Sequence, residues 1–462
     1  MVVLEKENDL AMGSTKANSA IIHAGYDPEQ GSLMARLNVE GARLAGELFD
    51  KLDIPYRRCG AFVLAFSRRE VDTLERLLRN GRKNGLRDLR ILPGDEAREK
   101  EPNLSKEVVA ALHAPSTMIV CPWEYTLALA ETAVRNRADL RLGQAVTGIE
   151  RISGGYRVST AQGEVEARTV LNAAGLYADE IHNMVAKPAF TILPARGEYY
   201  LLDRSEGERV SSVIFQCPTD EGKGVLVAPT VHGNLIVGPN SERIDSRDGL
   251  ATTQGGLDYV MSTARKSAPE IDFGANIRNF SGVRATSDHS DFIIAEAEGA
   301  KGFIDLAGIK SPGLSAAPAI AKMAVDLLGE SGLPLKKKKT FHDTRSRVRF
   351  DRLTAGEKAA LVGRDPAYGR VICRCETVTE GELRDALNSP IPPRSVDGVK
   401  RRCGAGMGRC QSGFCGPRVL EILAAHYRCD PTEILQDGEG SFILNFETKG
   451  GEDAHEIKKQ PA

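Results

Sequence analysis

The apolar positions of this chain change their period several times, and each change predicts an element. Met1-Val-Val-Leu followed by Glu5 reads as a buried parallel strand closed by an acidic residue. Gly13 to Ser19 is polar and reads as a loop. Leu33, Leu37, Leu44 and Leu48 share one helical face, which predicts an amphipathic helix over 32–51, and a second helix is expected over 122–135. From Val146 the runs shorten and alternate, broken at Gly154-Gly155 and Gln162-Gly163. This is a meander feeding a buried strand at 170–174. Residues 190–300 hold many short β-like runs, 303–308 reads as a strand, and 316–328 as a helix after a Pro-Gly turn. No internal repeat is evident.

The pattern breaks at Pro334 and the four lysines Lys336 to Lys339, a block of like charge that reads as solvated linker. Four parts follow: 1–330, a linker over 331–370, a small module over 371–445, and a tail over 446–462 that is polar from Gly450 and expected to be flexible.

Charge adds mainly exclusions. Basic and acidic residues number 61 and 63, without an arginine-rich stripe, so nucleic acid is not an expected partner. No apolar run reaches the ~18 residues of a membrane span, and the N-terminus lacks the basic start and long apolar core of a secretory signal. A cytoplasmic protein is expected, with peripheral membrane association still compatible.

Cysteine usage carries more. Cys59, Cys121 and Cys217 are scattered, whereas Cys373, Cys375, Cys403, Cys410, Cys415 and Cys429 crowd together. An odd total, clustered in this way, points to a metal and not to a disulfide framework. Cys373-x-Cys375 and Cys410-x4-Cys415, separated by 34 residues, offer four thiolates to zinc or to an iron–sulphur cluster. Surrounding glycines expose amides to the sulphurs, and structural zinc more often uses C-x2-C knuckles, so iron–sulphur is favoured. Thr379 is placed to cap a helix ending near Leu387, and Pro417 to open one over 418–427.

Cys373-Arg-Cys375-Glu, Val378-Thr-Glu-Gly-Glu and Gly406-Met-Gly-Arg-Cys410-Gln-Ser-Gly-Phe-Cys415 closely resemble the bacterioferritin-associated ferredoxin type. The resemblance implies a 2Fe–2S cluster on Cys373, Cys375, Cys410 and Cys415. Cys403 departs from the pattern, as a spare thiol or an alternative ligand.

Residues 1–330 resemble the FAD-dependent oxidoreductases of the D-amino-acid oxidase and glycerol-3-phosphate dehydrogenase superfamily. The likeness is carried by Val2-Val-Leu-Glu5, Thr15 to Gly25, Leu171 to Asp179, Gly282-Val-Arg284 and Ala307 to Leu314. With the cysteine module, the whole resembles the large subunit of anaerobic-type glycerol-3-phosphate dehydrogenases and the related L-2-hydroxyglutarate dehydrogenases. This implies an α/β (α+β) fold with a Rossmann-like FAD domain and an inserted antiparallel-sheet substrate domain (about 30–120 and 190–280), beside a small helical 2Fe–2S domain. The cofactors implied are FAD and the 2Fe–2S cluster. Glu5 is expected to bind the adenosine ribose, and Ser14, Thr15, Asn18 and Ser19 to approach the flavin. Gly175 would give the nucleotide room. Gly308, Gly313 and Leu314 would lead amides at a helix N-terminus towards the flavin's pyrimidine oxygen. A G-x-G-x-x-G turn would precede the ribose-binding acid by about 20 residues. Glu5 is the fifth residue, so that first βαβ unit is incomplete in this sequence.

Arg284 is the candidate for gripping an anionic substrate, because a guanidinium holds carboxylate or phosphate with two hydrogen bonds. His232 or His23 is the candidate base for the substrate hydroxyl. Arg196 and Tyr199 are candidates for lining the cavity, and Trp123 for packing in a core. The expected activity is oxidation of an anionic hydroxylated substrate, glycerol 3-phosphate first and L-2-hydroxyglutarate or another 2-hydroxy or amino acid next. Electrons would pass to an acceptor protein or further dehydrogenase subunits. The rival is a non-catalytic electron-transfer subunit, in which the incomplete flavin fold is a scaffold.

Overall fold

A computed structural model describes residues 1–218 and 224–446; the rest of the expected tail lies outside the described residues. The chain divides into two compact units, one of residues 1–12, 126–145 and 342–462, the other of 13–125 and 146–341.

The larger unit is organised by a nine-stranded, mostly antiparallel sheet. Its central strand, Ala61–Ala65, is buried at every residue. Ala61, Val63 and Ala65 pack on one face with Leu74 and Leu77 of the Arg68–Lys83 helix, whereas Phe62 and Leu64 pack on the other with Leu257 and Val260 of the Gln254–Ser267 helix. Both faces are covered, so the run is continuously apolar instead of alternating. At one side of the sheet the long strands Ile192–Leu202 and Asn276–Ser287 pair antiparallel, with Ala195 opposite Arg284 and Tyr199 opposite Phe280. A separate sheet pairs Val170–Asn172 in parallel with Phe303–Ala307, as a nucleotide-binding fold requires.

The Leu33–Lys51 helix begins where Ser32 accepts a hydrogen bond from the Ala35 amide at 3.0 Å. It buries Leu37 and Phe49, each contributing about 1.5–3 kcal/mol of apolar burial. Gly41 lets it approach the Gly313–Glu330 helix, because a Cβ there would lie 2.1 Å from the Ser315 carbonyl oxygen. Alanine at this one position would force the two helices apart.

In the smaller unit, Val2–Leu4 pairs in parallel with Asp139–Arg141. The strand is parallel as expected, but Val2 and Val3 are exposed, which corrects the reading of a buried strand. Asp139–Arg141 is its only strand partner among the described residues. The stretch 331–370 is exposed through Lys336–Lys339, then forms a helix at Ala355–Arg364 whose Thr354 and Glu357 make a reciprocal capping box. Thr379 and Glu382 cap Glu380–Leu387 in the same way, and Gly416–Tyr427 forms the last long helix. These helices close over Leu383, Val399, Val419 and Leu423.

A buried ionic cluster holds the first residues to this module. Asp9 receives hydrogen bonds from Arg401 at 2.7 Å and from Arg402 at 2.8 and 2.9 Å, and all three side chains are at most 5% exposed. Burial pushes the Asp9 carboxyl up, but the bonds and charge of Arg402 and then Arg401 outweigh it and hold it at about 2.

Candidate functional site

Two glycines on the long strand pair decide what can approach it. A Cβ at Gly282 would lie 2.0 Å from the Ala17 carbonyl oxygen, so only glycine lets the 14–17 loop rest on this strand. Ser14 then donates to the Val283 carbonyl at 2.5 Å. Gly197, across the ladder, leaves room for Arg284, whose Nη2 would stand 2.5 Å from a Cβ there. The guanidinium donates to the Asn240 carbonyl at 3.1 Å and reaches Ser241 Oγ at 3.4 Å. Ser19 continues along the same surface, its hydroxyl 3.3 Å from the Tyr199 hydroxyl, and Tyr199 stacks on Phe280. Asn18 turns back, donating to the Thr15 carbonyl at 2.7 Å and accepting from the Ala20 amide at the same distance.

His23 is fixed by its backbone. Its amide donates to Ser315 Oγ at 2.8 Å and its carbonyl accepts from Asn38 at 3.2 Å. The ring lies over Phe215 with centroids 5.6 Å apart, and Nε2 is 3.5 Å from Ser311 Oγ. Ser311 belongs to the Gly308–Gly313 turn. Gly308 has φ +63 and a Cβ there would meet Ser287 Oγ at 2.7 Å, while Gly313 and the half-buried Leu314 open the following helix. The larger unit thus brings together Ser14, Thr15, Asn18, Ser19, His23, Arg284 and the Gly308–Leu314 turn.

The surface after Val170–Asn172 is open. Leu171, Ala173, Ala174 and Gly175 form an apolar run that is nonetheless exposed, and a Cβ at Gly175 would meet nothing within 4 Å. Beneath it, Asn172 donates to Asp305 at 2.7 Å, and His182 Nδ1 is 2.7 Å from the other carboxylate oxygen. Burial raises the Asp305 carboxyl. In the smaller unit, Glu5 follows the parallel strand and accepts from the Glu7 amide at 3.0 Å. Burial raises this carboxyl too.

The remaining candidates stand elsewhere. Arg196 is engaged by Glu242 at 2.6 Å and Glu198 at 3.3 Å, a structural ion-pair group. His232 lies at a hairpin turn, its ring stacked on Trp123 with centroids 6.3 Å apart; Trp123 is therefore half-buried against this histidine.

The cysteine module fits an iron–sulphur cluster. Cys375 and Cys410 sulphurs are 3.7 Å apart, and Cys373 is hydrogen-bonded to Cys415. That bond pulls the Cys373 thiol down to about 5 and pushes its partner up. Gly408 is required here, because a Cβ would lie 2.3 Å from that of Cys375. The 410–415 loop turns through left-handed Gln411 and Ser412. Cys403 points back to the Val399 carbonyl at 3.4 Å, and burial pushes its thiol up to about 12. Its sulphur is turned to the backbone of its own helix.

Residues 1–327 match the family described as FAD dependent oxidoreductase, and 371–425 match the BFD-like [2Fe-2S] binding domain. The chain belongs to the FAD-dependent oxidoreductase family. It is 47% identical over 450 residues to a glycerol 3-phosphate dehydrogenase of Caloramator mitchellensis, covering 97% of this chain and 94% of that protein. It is 32% identical to a glycerol 3-phosphate oxidase of Mycoplasma genitalium over 73% of this chain and 90% of the other. A dithionite-reduced L-alpha-glycerophosphate oxidase from Mycoplasma pneumoniae with FAD bound superposes with a TM-score of 0.71, at 29% identity, over 75% of this chain and 92% of that one. This family member is thus a flavin-dependent oxidoreductase whose cofactors are FAD and a 2Fe–2S cluster.

Sequence reasoning missed Ser315, Phe215, Gly197 and the Asn172–His182–Asp305 network. Ser315 alone carried a faint signal, lying just inside the helix that the Gly313 turn begins.

Proposed function

We propose that this chain oxidises glycerol 3-phosphate and passes the electrons through its 2Fe–2S module to an acceptor protein. The single supporting observation is the seating of the 14–17 loop on Gly282-Val-Arg284, which sets a guanidinium beside the segment leading to His23. When bound, FAD accepts the hydride and the cluster carries single electrons onward.

Arg284 binds the anionic end of the substrate. Its five N–H donors exceed its two protein contacts, and a planar fork matches phosphate oxygens. His23 takes the hydroxyl proton at Nε2, the nitrogen on the side of the Gly308–Gly313 turn. Ser315 and Asn38 hold its backbone, so the ring's position follows from the fold and not from its own rotamer alone. His232 stands in a separate cluster, and the base role is assigned to His23. Cys373, Cys375, Cys410 and Cys415 are the proposed cluster ligands. Phe414, beside Cys415, is 88% exposed and offers an apolar contact to the acceptor.

The test is steady-state reduction of an artificial dye by the purified flavin-loaded protein. The specificity constant for glycerol 3-phosphate should exceed that for L-2-hydroxyglutarate by roughly tenfold or more. The reverse order would move the assignment to 2-hydroxy acids, and no turnover of either would favour the electron-transfer subunit.

A further inference from the structure

A second group of ligating side chains lies in the larger unit, on residues that the flavin chemistry does not use. Cys121, Glu124 and His232 bring one ligand atom each, a sulphur, a carboxylate oxygen and an imidazole nitrogen, to within 4.8 Å of one another. Cys121 and Glu124 are buried, at 1% and 6% exposure, and His232 is half-buried. Their backbones are well fixed. Cys121 donates its amide to the Pro55 carbonyl at 3.0 Å and accepts from the Tyr125 amide at 3.0 Å, and Glu124 follows in the first helical turn. The spacing of three residues puts both side chains on one side of that turn. His232 reaches the same point from the turn between Leu226–Pro229 and Leu235–Gly238. Arg204 holds its carbonyl at 2.9 Å, and the Trp123 ring lies parallel to its imidazole at an angle of 9°.

We propose that Cys121, Glu124 and His232 form a zinc site that cross-links the start of the Pro122–Arg135 helix to the 230–234 hairpin turn. The chemistry of the set is that of zinc. One thiolate, one carboxylate and one imidazole match its borderline-soft character, with water completing a tetrahedron. Zinc–sulphur and zinc–nitrogen bonds of about 2.3 and 2.0 Å require the ligand atoms to draw roughly an ångström closer than their widest present separation. Rotation of the Cys121 and Glu124 side chains can supply that movement. Charge balances: Cys121 releases its proton on ligation, and a thiolate with a carboxylate neutralises the dication in a mostly buried place.

Full-length protein loaded with flavin and cluster is equilibrated with zinc, passed over chelating resin, and analysed for zinc and iron by mass spectrometry. The parent should retain one zinc per chain in addition to its cluster iron. Cys121→Ser, Glu124→Gln and His232→Gln should each lower zinc at least tenfold while leaving iron unchanged. Thermal unfolding guards against misfolded variants: added zinc should raise the parent's Tm, and Cys121→Ser, folded by its intact flavin and iron content, should show no such rise. Background zinc in the parent would overturn the proposal. Undiminished zinc in all three variants would do the same, placing that zinc on other residues.

Discussion

The cysteine module and the flavin-side surface reach their chemistry by opposite routes. In the module, the four thiols come from two short segments, 373–375 and 410–415, and the side chains themselves are the proposed ligands. On the flavin side, residues as far apart as His23 and Ser315, 292 positions in sequence, meet where a backbone amide donates to a serine hydroxyl. There the deciding groups are often ones that lack a side chain, Gly282 and Gly197 above all. A compact ligand set announces itself in spacing, whereas a surface built by strand pairing is visible only once the pairing is known.

The contrast breaks most sharply at the cluster. Cys373→Ser or Cys410→Ser should lose bound iron and sulphide, because each removes a first ligand. Cys403→Ser should keep them, since that thiol is turned to the Val399 carbonyl. Iron analysis of the three variants decides; full retention in both of the first pair would end the assignment.

Next in size is the ionic cluster of the smaller unit. Asp9→Asn leaves two buried guanidiniums short of their counter-charge, and should cost about 3–5 kcal/mol in denaturant unfolding. A loss below about 1 kcal/mol would mean water already compensates the arginines. The same carboxyl sets a pH dependence. Its folded value of about 2 lies below the ordinary 3.8, so its contribution is complete above about pH 5 and is lost as pH falls through about 2. The shift corresponds to roughly 2–3 kcal/mol, and Asp9→Asn should flatten this part of the stability profile.

A smaller effect sharpens the other side of the comparison. Arg284→Lys keeps the charge and loses the planar fork. The specificity constant for glycerol 3-phosphate should fall about 10- to 150-fold, or roughly 1.5–3 kcal/mol, with flavin and iron content unchanged. An unchanged constant would make Arg284 a structural partner of Asn240 and Ser241.

Legibility followed the same division. The helices at Leu33–Lys51 and Glu380–Leu387 were readable because Ser32 and Thr379 cap them and their apolar periods are local. The closeness of the cysteine pairs was readable from spacing, and the FAD fold from resemblance in several short motifs. The ion pairs of Asp9 with Arg401 and Arg402 were not readable, since they join residues 392 and 393 positions apart and three adjacent cations look like a solvated face. The half-exposed Val2–Leu4 strand misled for a related reason: an apolar run records what a strand could bury, not how many partners it finds.

The central claim is that one chain couples oxidation of glycerol 3-phosphate to reduction of its own cluster. Anaerobic addition of glycerol 3-phosphate to the flavin- and cluster-loaded protein, followed by visible absorbance and low-temperature electron paramagnetic resonance, tests this directly. The account predicts bleaching of the flavin band and appearance of the reduced 2Fe–2S signal within the turnover time, with Cys375→Ser retaining only the flavin change. Flavin bleaching with a cluster that stays oxidised at every substrate concentration would contradict it.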